Sequence, residues 1–93
     1  MMSYKEAGAA FQPGTIGRLT LKNRLIVPAM VVNSNQPDGM PTERYIQYHE
    51  EKARGGWGMI ITEDYAITPT AGGFRDLAGL WSDDQIEAHA KFV

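Results

Sequence analysis

Two short apolar runs separated by one amphipathic segment constrain the fold of this chain more than any other feature. The runs cover residues 25–29 and 57–62. Because almost every position in them is apolar, they are typical of strands buried on both faces of a parallel sheet. Strand, loop, helix and strand, in that order, form the unit from which parallel sheets and barrels are built. The sequence therefore predicts an α/β fold.

The segment between the runs is predicted to be a helix that begins at Pro41 or Thr42 and ends near Arg54. Five of its residues, most of them aromatic or apolar, recur at the three- and four-residue spacing of one helix face. Gly55-Gly56 follows, and glycine accepts the left-handed conformation that ends many helices. We interpret His49 as a packed or half-exposed helix residue. The recurring positions are Tyr45, Tyr48, His49, Lys52 and Ala53.

The N-terminal residues are predicted to form a lead-in and a hairpin. Residues 1–10 are polar, rich in glycine and alanine and mixed in charge, so we expect a flexible lead-in without a signal peptide. Residues 15–16 and 19–21, on either side of Gly17-Arg18, are expected to pair as short antiparallel strands. Such strands are not stable alone, so the hairpin must lie on other parts of the fold.

A second helix is predicted near the end of the chain. Ser82 and Gln85 have the spacing of a capping box, and Trp81 is placed to pack on Ile86 as a hydrophobic staple. The expected inward face of this helix contains Ile86, His89, Ala90 and Val93.

Residues 11–93 are expected to be an incomplete fold. A parallel sheet needs cover on both faces, and a hairpin with two β–helix units leaves strand edges open. Eight such units, about 250 residues in total, make a closed barrel. We therefore interpret the chain as a piece of a longer fold rather than as a small independent α/β module.

Composition argues against several classes of function. Nine basic and eleven acidic residues, spread without runs, leave a net charge of −2, which gives no basis for binding nucleic acid or an anionic membrane. The longest apolar run, residues 25–32, is far too short to span a bilayer. Cysteine is absent, which excludes disulfides and thiolate metal sites in this segment and fits a cytoplasmic location. His49 and His89 lack the spacing of metal ligands, so no metal site is expected.

A series of short motifs runs through residues 11–93. They are Phe11-x-Pro13, Ile16-Gly17, Leu19-x-Leu21-Lys22-Asn23-Arg24, Pro28-Ala29-Met30, Asp38-Gly39, Lys52-Ala53-x-Gly55-Gly56-x-Gly58, Ile60-Ile61-Thr62-Glu63 and Gly79-Leu80-Trp81-Ser82-Asp83. In this order and spacing they resemble the N-terminal segment of the old yellow enzyme family, the NADH:flavin oxidoreductases. The Pro28-Ala29-Met30 motif resembles that of the enoate-reductase and bile-acid-enone-reductase branch of the family.

This resemblance implies a TIM (β/α)8 barrel, of which the chain would hold the N-terminal portion, the hairpin and the first two βα units. It also implies an FMN enzyme that passes hydride from NADH or NADPH through the flavin to an activated C=C bond, such as that of an enone or enoate. Long members of the family also carry an iron–sulfur cluster and FAD. The family's catalytic residues belong to later strands, so none is assigned here.

The resemblance further implies cofactor contacts where the two predicted strands end, which is where the active sites of such barrels lie. Met30 would pack on the flavin ring, beside Pro28 and Ala29. Val31 would lie near the carbonyl edge of the flavin, where many relatives have a threonine or cysteine; valine cannot donate a hydrogen bond there. Asp64, at the second strand end, would also approach FMN.

Three residues on the same loops are predicted to have other roles. Asn33 and Tyr65 lie at the expected barrel mouth, and we predict that they face substrate. Glu63 and Asp64 are adjacent and point to opposite faces if the strand continues, so they do not form an acid–base pair. Glu63 is instead expected to accept hydrogen bonds that anchor neighbouring loops.

One alternative function stays open. The chain could be a non-catalytic barrel fragment, or a split-barrel subunit that folds only with a complementary chain. The expected partner is a small-molecule substrate, with a homo-oligomer or a complementary barrel segment as further partners. A visible flavin absorption band would favour the enzyme over the fragment.

Overall fold

The N-terminal part of the chain begins with a short helical turn. The computed structural model describes residues 7–70 and 76–93. A 3-10 helix, Gly8–Phe11, is the first regular element within these ranges. The predicted lead-in, residues 1–10, overlaps this turn, and its first six residues lie outside the described part of the chain. The boundary of the lead-in stays a prediction.

The predicted hairpin is confirmed. Strand β1, Gly14–Ile16, pairs antiparallel with strand β2, Leu19–Leu21, and Thr15 lies opposite Thr20. The turn between them begins at Gly17, whose φ of +58° lies in the left-handed region that glycine adopts without steric cost. Leu21 is the one buried residue of the hairpin, so the rest of its surface is accessible in the part of the chain that the structure describes.

The two apolar runs meet in a parallel pair, as the sequence predicts. Strand β3, Ile26–Val27, pairs with strand β4, Met59–Ile60. Ile26 lies opposite Met59, and Val27 lies opposite Ile60. Both strands therefore run in one direction and end at the same edge of the sheet.

Both strands are shorter than predicted from the apolar runs. Ladder-type hydrogen bonds extend the pairing at each end: the Gly58 N–H donates to the Leu25 carbonyl at 3.0 Å, and the Ile61 N–H donates to the Val27 carbonyl at 2.9 Å. Pro28 then follows, and because proline has no N–H it cannot continue the ladder. Apolar residues beyond this point belong to the loop rather than to a strand.

The first predicted helix is confirmed as α1, Glu43–Arg54. Thr42 is its N-cap, and the Thr42 side chain accepts a hydrogen bond from the Tyr45 N–H at 3.1 Å. The helix ends at the glycine pair, where Gly56 has the left-handed φ of +98°. The buried face is narrower than the recurring pattern suggests, because only Tyr45 and His49 are buried whereas Tyr48 and Ala53 are exposed.

The capping box before the second helix is confirmed. Ser82 caps a 3-10 turn, Asp83–Gln85, with both arms of the box present, and the turn continues as α2, Ile86–Phe92. The Trp81 ring lies against Gly39 and Gly79. Its contact with Ile86 stays a prediction.

The predicted inward face of α2 is wrong except at His89. Ile86 is 63% exposed, and Ala90 and Val93 are exposed as well. The buried residues are Gln85 and His89, because each bonds a loop carbonyl: the Gln85 Nε2 donates to the Asp38 carbonyl at 3.1 Å, and the His89 Nε2 lies 2.8 Å from the Gly79 carbonyl. Polar contacts to the loops therefore orient this helix, together with the packing of the Phe92 ring on the Tyr45 and His49 rings of α1.

A small core holds these elements together. Its buried apolar residues are Leu21, Val27, Tyr45, Ala66 and Ala78. Many large apolar side chains remain more than a third exposed, among them Ile16, Leu19, Ile61, Ile67, Leu80 and Ile86. No helix within the described ranges is long and apolar enough to cross a membrane.

Candidate functional site

The residues expected to contact FMN lie just beyond the ends of β3 and β4. Pro28, Ala29 and Met30 are exposed, and the Met30 side chain is 51% accessible. Val31 is half-buried. The parallel pairing brings this stretch to the same sheet edge as Asp64, which is exposed after the end of β4. The cofactor assignments of these five residues stay predictions.

The two residues expected to face substrate are placed differently from each other. Asn33 is exposed and has a left-handed φ of +50°, a conformation that asparagine tolerates better than most residues. Tyr65 is half-buried, and its hydroxyl lies 3.1 Å from the Tyr45 hydroxyl on α1. Its ring also lies 5.3 Å from the His89 ring, centroid to centroid. Tyr65 thus packs between the two helices, and its substrate role stays a prediction.

Glu63 anchors the loop after β3, as predicted. Its side chain is buried, with 6% exposure. One carboxylate oxygen, Oε2, accepts the Val32 N–H at 2.8 Å, and the other, Oε1, accepts the Asn35 Nδ2 at 2.7 Å. The adjacent carboxylate, Asp64, is exposed, so the two acids do not face each other. A buried carboxylate requires such donors, because each supplies part of the solvation that water would give.

Asn35 is the residue of this site that sequence reasoning missed. It is buried and joins two loops, because its side chain donates to Glu63 while its backbone N–H donates to the Asp76 carbonyl at 3.1 Å. Its Oδ1 is buried without a hydrogen-bond partner among the residues that the structure describes. The sequence offered no signal for this role, since an asparagine in a polar loop usually reads as turn chemistry.

Further contacts join the loops that follow the two strands. The Gly79 N–H donates to the Gly39 carbonyl at 2.9 Å, and within the loop after β4, Ala66 and Gly79 form an isolated parallel bridge. Gly39 has a φ of +80°, and a Cβ there would meet both Trp81 and the Gly79 backbone. Close backbone approach at these glycines holds the two loops side by side at the edge where the strands end.

Burial changes the titration of two residues on α1. Burial raises the pKa of the Tyr45 hydroxyl well above its ordinary value, and its contact with the Tyr65 hydroxyl acts in the same direction. Burial lowers the pKa of His49, and the nearby Lys52 ammonium lowers it further. Neither His49 ring nitrogen has a hydrogen-bond partner among the described residues. His49 is therefore a packed helix residue, as predicted, and is neutral in the folded chain near neutral pH.

The end of β3 presents an apolar surface on a fixed loop. An exposed apolar strip, residues 28–30, follows a strand end and can cover part of an aromatic ring system, while the loop behind it is tied down by Glu63. Within residues 7–70 and 76–93, no group of three His, Asp or Glu side chains could hold a metal ion.

Comparison with protein families and curated proteins gives a consistent result. Residues 9–93 match the model of the NADH:flavin oxidoreductase / NADH oxidase family. Among curated proteins, the NADPH dehydrogenase of Bacillus subtilis (strain 168) is 37% identical over 84 residues, a match that covers 89% of this chain and 25% of that protein. The chain thus spans about a quarter of the length of such relatives.

Solved structures agree with these sequence matches. The old yellow enzyme from Trypanosoma cruzi superimposes with a TM-score of 0.81 at 33% identity, covering 92% of this chain and 23% of that one. Morphinone reductase in complex with tetrahydroNAD superimposes with a TM-score of 0.79 at 32% identity, covering 91% of this chain and 23% of that one.

Proposed function

The chain belongs to the NADH:flavin oxidoreductase / NADH oxidase family, and on that premise we propose that it is the N-terminal part of an FMN-dependent TIM-barrel oxidoreductase. The hairpin β1–β2 and the units β3–α1 and β4–α2 would be the first elements of that barrel. The activity would belong to the whole barrel, of which these residues form the part that contacts one side of the cofactor.

The parallel register of β3 and β4 carries this proposal. Two stretches far apart in sequence, residues 28–31 and Asp64, follow strands that end at one sheet edge. Active sites of (β/α)8 barrels lie at that edge, on the loops that follow the strands. An antiparallel pairing, or a register that placed the two loops at opposite edges, would have removed this common surface.

The chemistry would be reduction of an activated C=C bond, as in an enone or enoate. FMN, when bound, would supply hydride transfer from NADH or NADPH to that bond. The chain's own residues would orient the cofactor: Pro28, Ala29 and Met30 by packing, and Val31 and Asp64 by lying at its edge. Asn33 and Tyr65 would lie toward the substrate side. Nicotinamide use is supported by the relative named NADPH dehydrogenase and by the neighbour solved with tetrahydroNAD.

An FMN titration of matched variants tests the proposal. Met30→Ala removes an exposed side chain from the expected flavin face, whereas Ile16→Ala removes an equally exposed one from the hairpin, the two being 51% and 52% accessible. Losing the Met30 contact area should weaken FMN binding about fivefold to tenfold, from about 1 kcal/mol of lost apolar burial. Ile16→Ala should bind FMN as the wild type does. Equal affinities in both variants would contradict the placement of the flavin.

A second candidate is supported by the exposed apolar surface. Side chains such as Ile16, Leu19, Ile61 and Ile86 are 44–63% exposed. A split-barrel subunit that folds against a complementary chain would cover them. The intact mass of the FMN-binding species separates the two: a single longer polypeptide supports the complete enzyme, and two associated chains support the split barrel.

Other properties follow from the family rather than from this segment. We propose a cytoplasmic flavoprotein that acts on a small molecule. An iron–sulfur cluster and FAD would be present only if the whole protein is one of the long members, and their ligands would lie outside these residues. Metal analysis and flavin extraction of the whole protein distinguish the short from the long type.

A further inference from the structure

We infer that Glu63 is a positioning residue that sets the orientation of the peptide between Val31 and Val32 at the cofactor edge. The inference rests on the proposed function, because it takes that edge as the place where FMN binds. Glu63 itself is buried and faces the loop, so it would act through the backbone and not by touching the cofactor.

The hydrogen bond to Glu63 fixes the direction of one peptide unit. The Val32 N–H donates to the Glu63 Oε2 at 2.8 Å, and no peptide bond among the described residues is cis. In a planar trans peptide the C=O and the N–H point in opposite directions. The Val31 carbonyl, which belongs to the same peptide as the Val32 N–H, therefore points away from Glu63. No hydrogen bond from the described residues reaches that carbonyl.

The same carboxylate holds the loop at two points. Its other oxygen accepts the Asn35 Nδ2 at 2.7 Å, and the Asn35 N–H donates to the Asp76 carbonyl at 3.1 Å. Between the two held residues lies Asn33, with its left-handed φ of +50°. A loop held on both sides of such a conformation has few alternatives, which restricts the orientation of the peptide between Val31 and Val32.

The charge of Glu63 makes the loop sensitive to a second acid nearby. Within residues 7–70 and 76–93 no ion pair reaches Glu63, and the hydrogen bonds that its carboxylate accepts there come from amides. Replacing Asn35 by aspartate would put a second carboxylate where the Nδ2 donor now lies. Replacing Glu63 by glutamine at the same time would restore a donor between the two side chains and keep the net charge of the pair.

These relations define a rescue experiment on the FMN-loaded whole protein. We expect Asn35→Asp to weaken FMN binding about tenfold or more. The substitution replaces a charge-assisted hydrogen bond to Glu63 by repulsion between two carboxylates, and this repulsion releases the loop. The double variant E63Q/N35D should return the dissociation constant to within about threefold of the wild type. Glu87→Gln, which changes an exposed acid on α2 that pairs with Lys91, is the control and should leave the dissociation constant unchanged.

Amide hydrogen exchange at Val32 supplies the readout that does not depend on FMN. Exchange should be faster in Asn35→Asp and slow again in E63Q/N35D, in parallel with affinity. If Asn35→Asp fails to fold, Asn35→Ala takes its place; it keeps the Val32 contact and should weaken FMN binding by a smaller factor.

Two outcomes would overturn the inference in different ways. Faster Val32 exchange with unchanged FMN affinity would mean that the loop is held by Glu63 but does not position the cofactor. If E63Q/N35D binds FMN as weakly as Asn35→Asp does, the hydrogen bond between residues 35 and 63 does not position the cofactor. A wild-type protein that binds no FMN would refute the proposed function itself, and the inference with it.

Discussion

Asn23 joins the start of the first parallel strand to the loop before the second, and removing its side chain should cost measurable stability. Its Nδ2 donates to the Gly56 carbonyl at 2.8 Å, and its Oδ1 accepts the Leu25 N–H at 3.0 Å. Asn23→Ala removes both bonds at once. At a net value of about 0.5–1.5 kcal/mol for each bond in a partly buried setting, the loss should be about 1–3 kcal/mol in the free energy of unfolding.

The backbone around Asn23 makes this site sensitive. A Cβ built on Gly58 would overlap the Asn23 carbonyl oxygen, so the two segments already approach as closely as their backbones allow. The Asn23 amide spans this contact, and alanine in its place leaves the Gly56 carbonyl and the Leu25 N–H without their partners. Both groups flank the β3–β4 pairing, so we expect the parallel pair to loosen first.

Urea unfolding followed by far-ultraviolet circular dichroism measures the effect. With an m-value of about 1–3 kcal/mol per molar urea, the midpoint should fall by about 1 M. Gln12→Ala, which truncates an exposed amide side chain near the hairpin, should stay within about 0.5 kcal/mol of the wild type. If Asn23→Ala is no less stable than Gln12→Ala, the two hydrogen bonds do not stabilise the strand pair and the reasoning fails.

Two further predictions concern the flavin and the buried histidine. Val31→Thr should raise the flavin midpoint potential by about 10–30 mV, because a new hydroxyl donor at the flavin edge would favour the reduced form by about 0.5–1.5 kcal/mol; an unchanged potential in spectroelectrochemical titration rejects that contact. His49 should make the free energy of unfolding depend on pH, because its pKa is lower in the folded chain than in the unfolded chain. The stability that this difference contributes is complete above the ordinary pKa of 6.5 and is lost as the pH falls toward the pKa of the folded chain. The slope in that window should reach at most about 1.4 kcal/mol per pH unit, and His49→Phe should abolish it in urea unfolding at several pH values. A variant that keeps the wild-type slope would exclude His49 as its source.

Local chemistry explains why helix positions were predictable here. Thr42 caps α1 and the Ser82–Gln85 capping box precedes α2, as their spacing indicates. Such caps depend on residues within one turn of each other, so the sequence carries the whole signal. The inward face of α2 was not predictable in the same way, because Gln85 and His89 are buried by bonds to the Asp38 and Gly79 carbonyls.

Strand lengths, unlike helix positions, were not predictable from local sequence. The apolar runs identified which residues enter the sheet, but pairing covers only Ile26–Val27 and Met59–Ile60. A strand extends as far as its partner and its N–H groups allow, and Pro28 removes one of those groups. Periodicity does not contain that information.

By itself, the sequence determined the order of the hairpin, the two parallel strands and the two α-helices, and it determined the family, because these follow from apolar periodicity, caps and motif order; it did not predict the 3-10 helix Gly8–Phe11. It also predicted Glu63 as a loop anchor, since a carboxylate at a buried strand end needs donors. Only the tertiary structure decided which donors those are: the Val32 N–H and the Asn35 amide lie 31 and 28 residues away along the chain. Contacts of that range depend on how two loops meet at a sheet edge, which is set by strand register and packing and not by any local pattern.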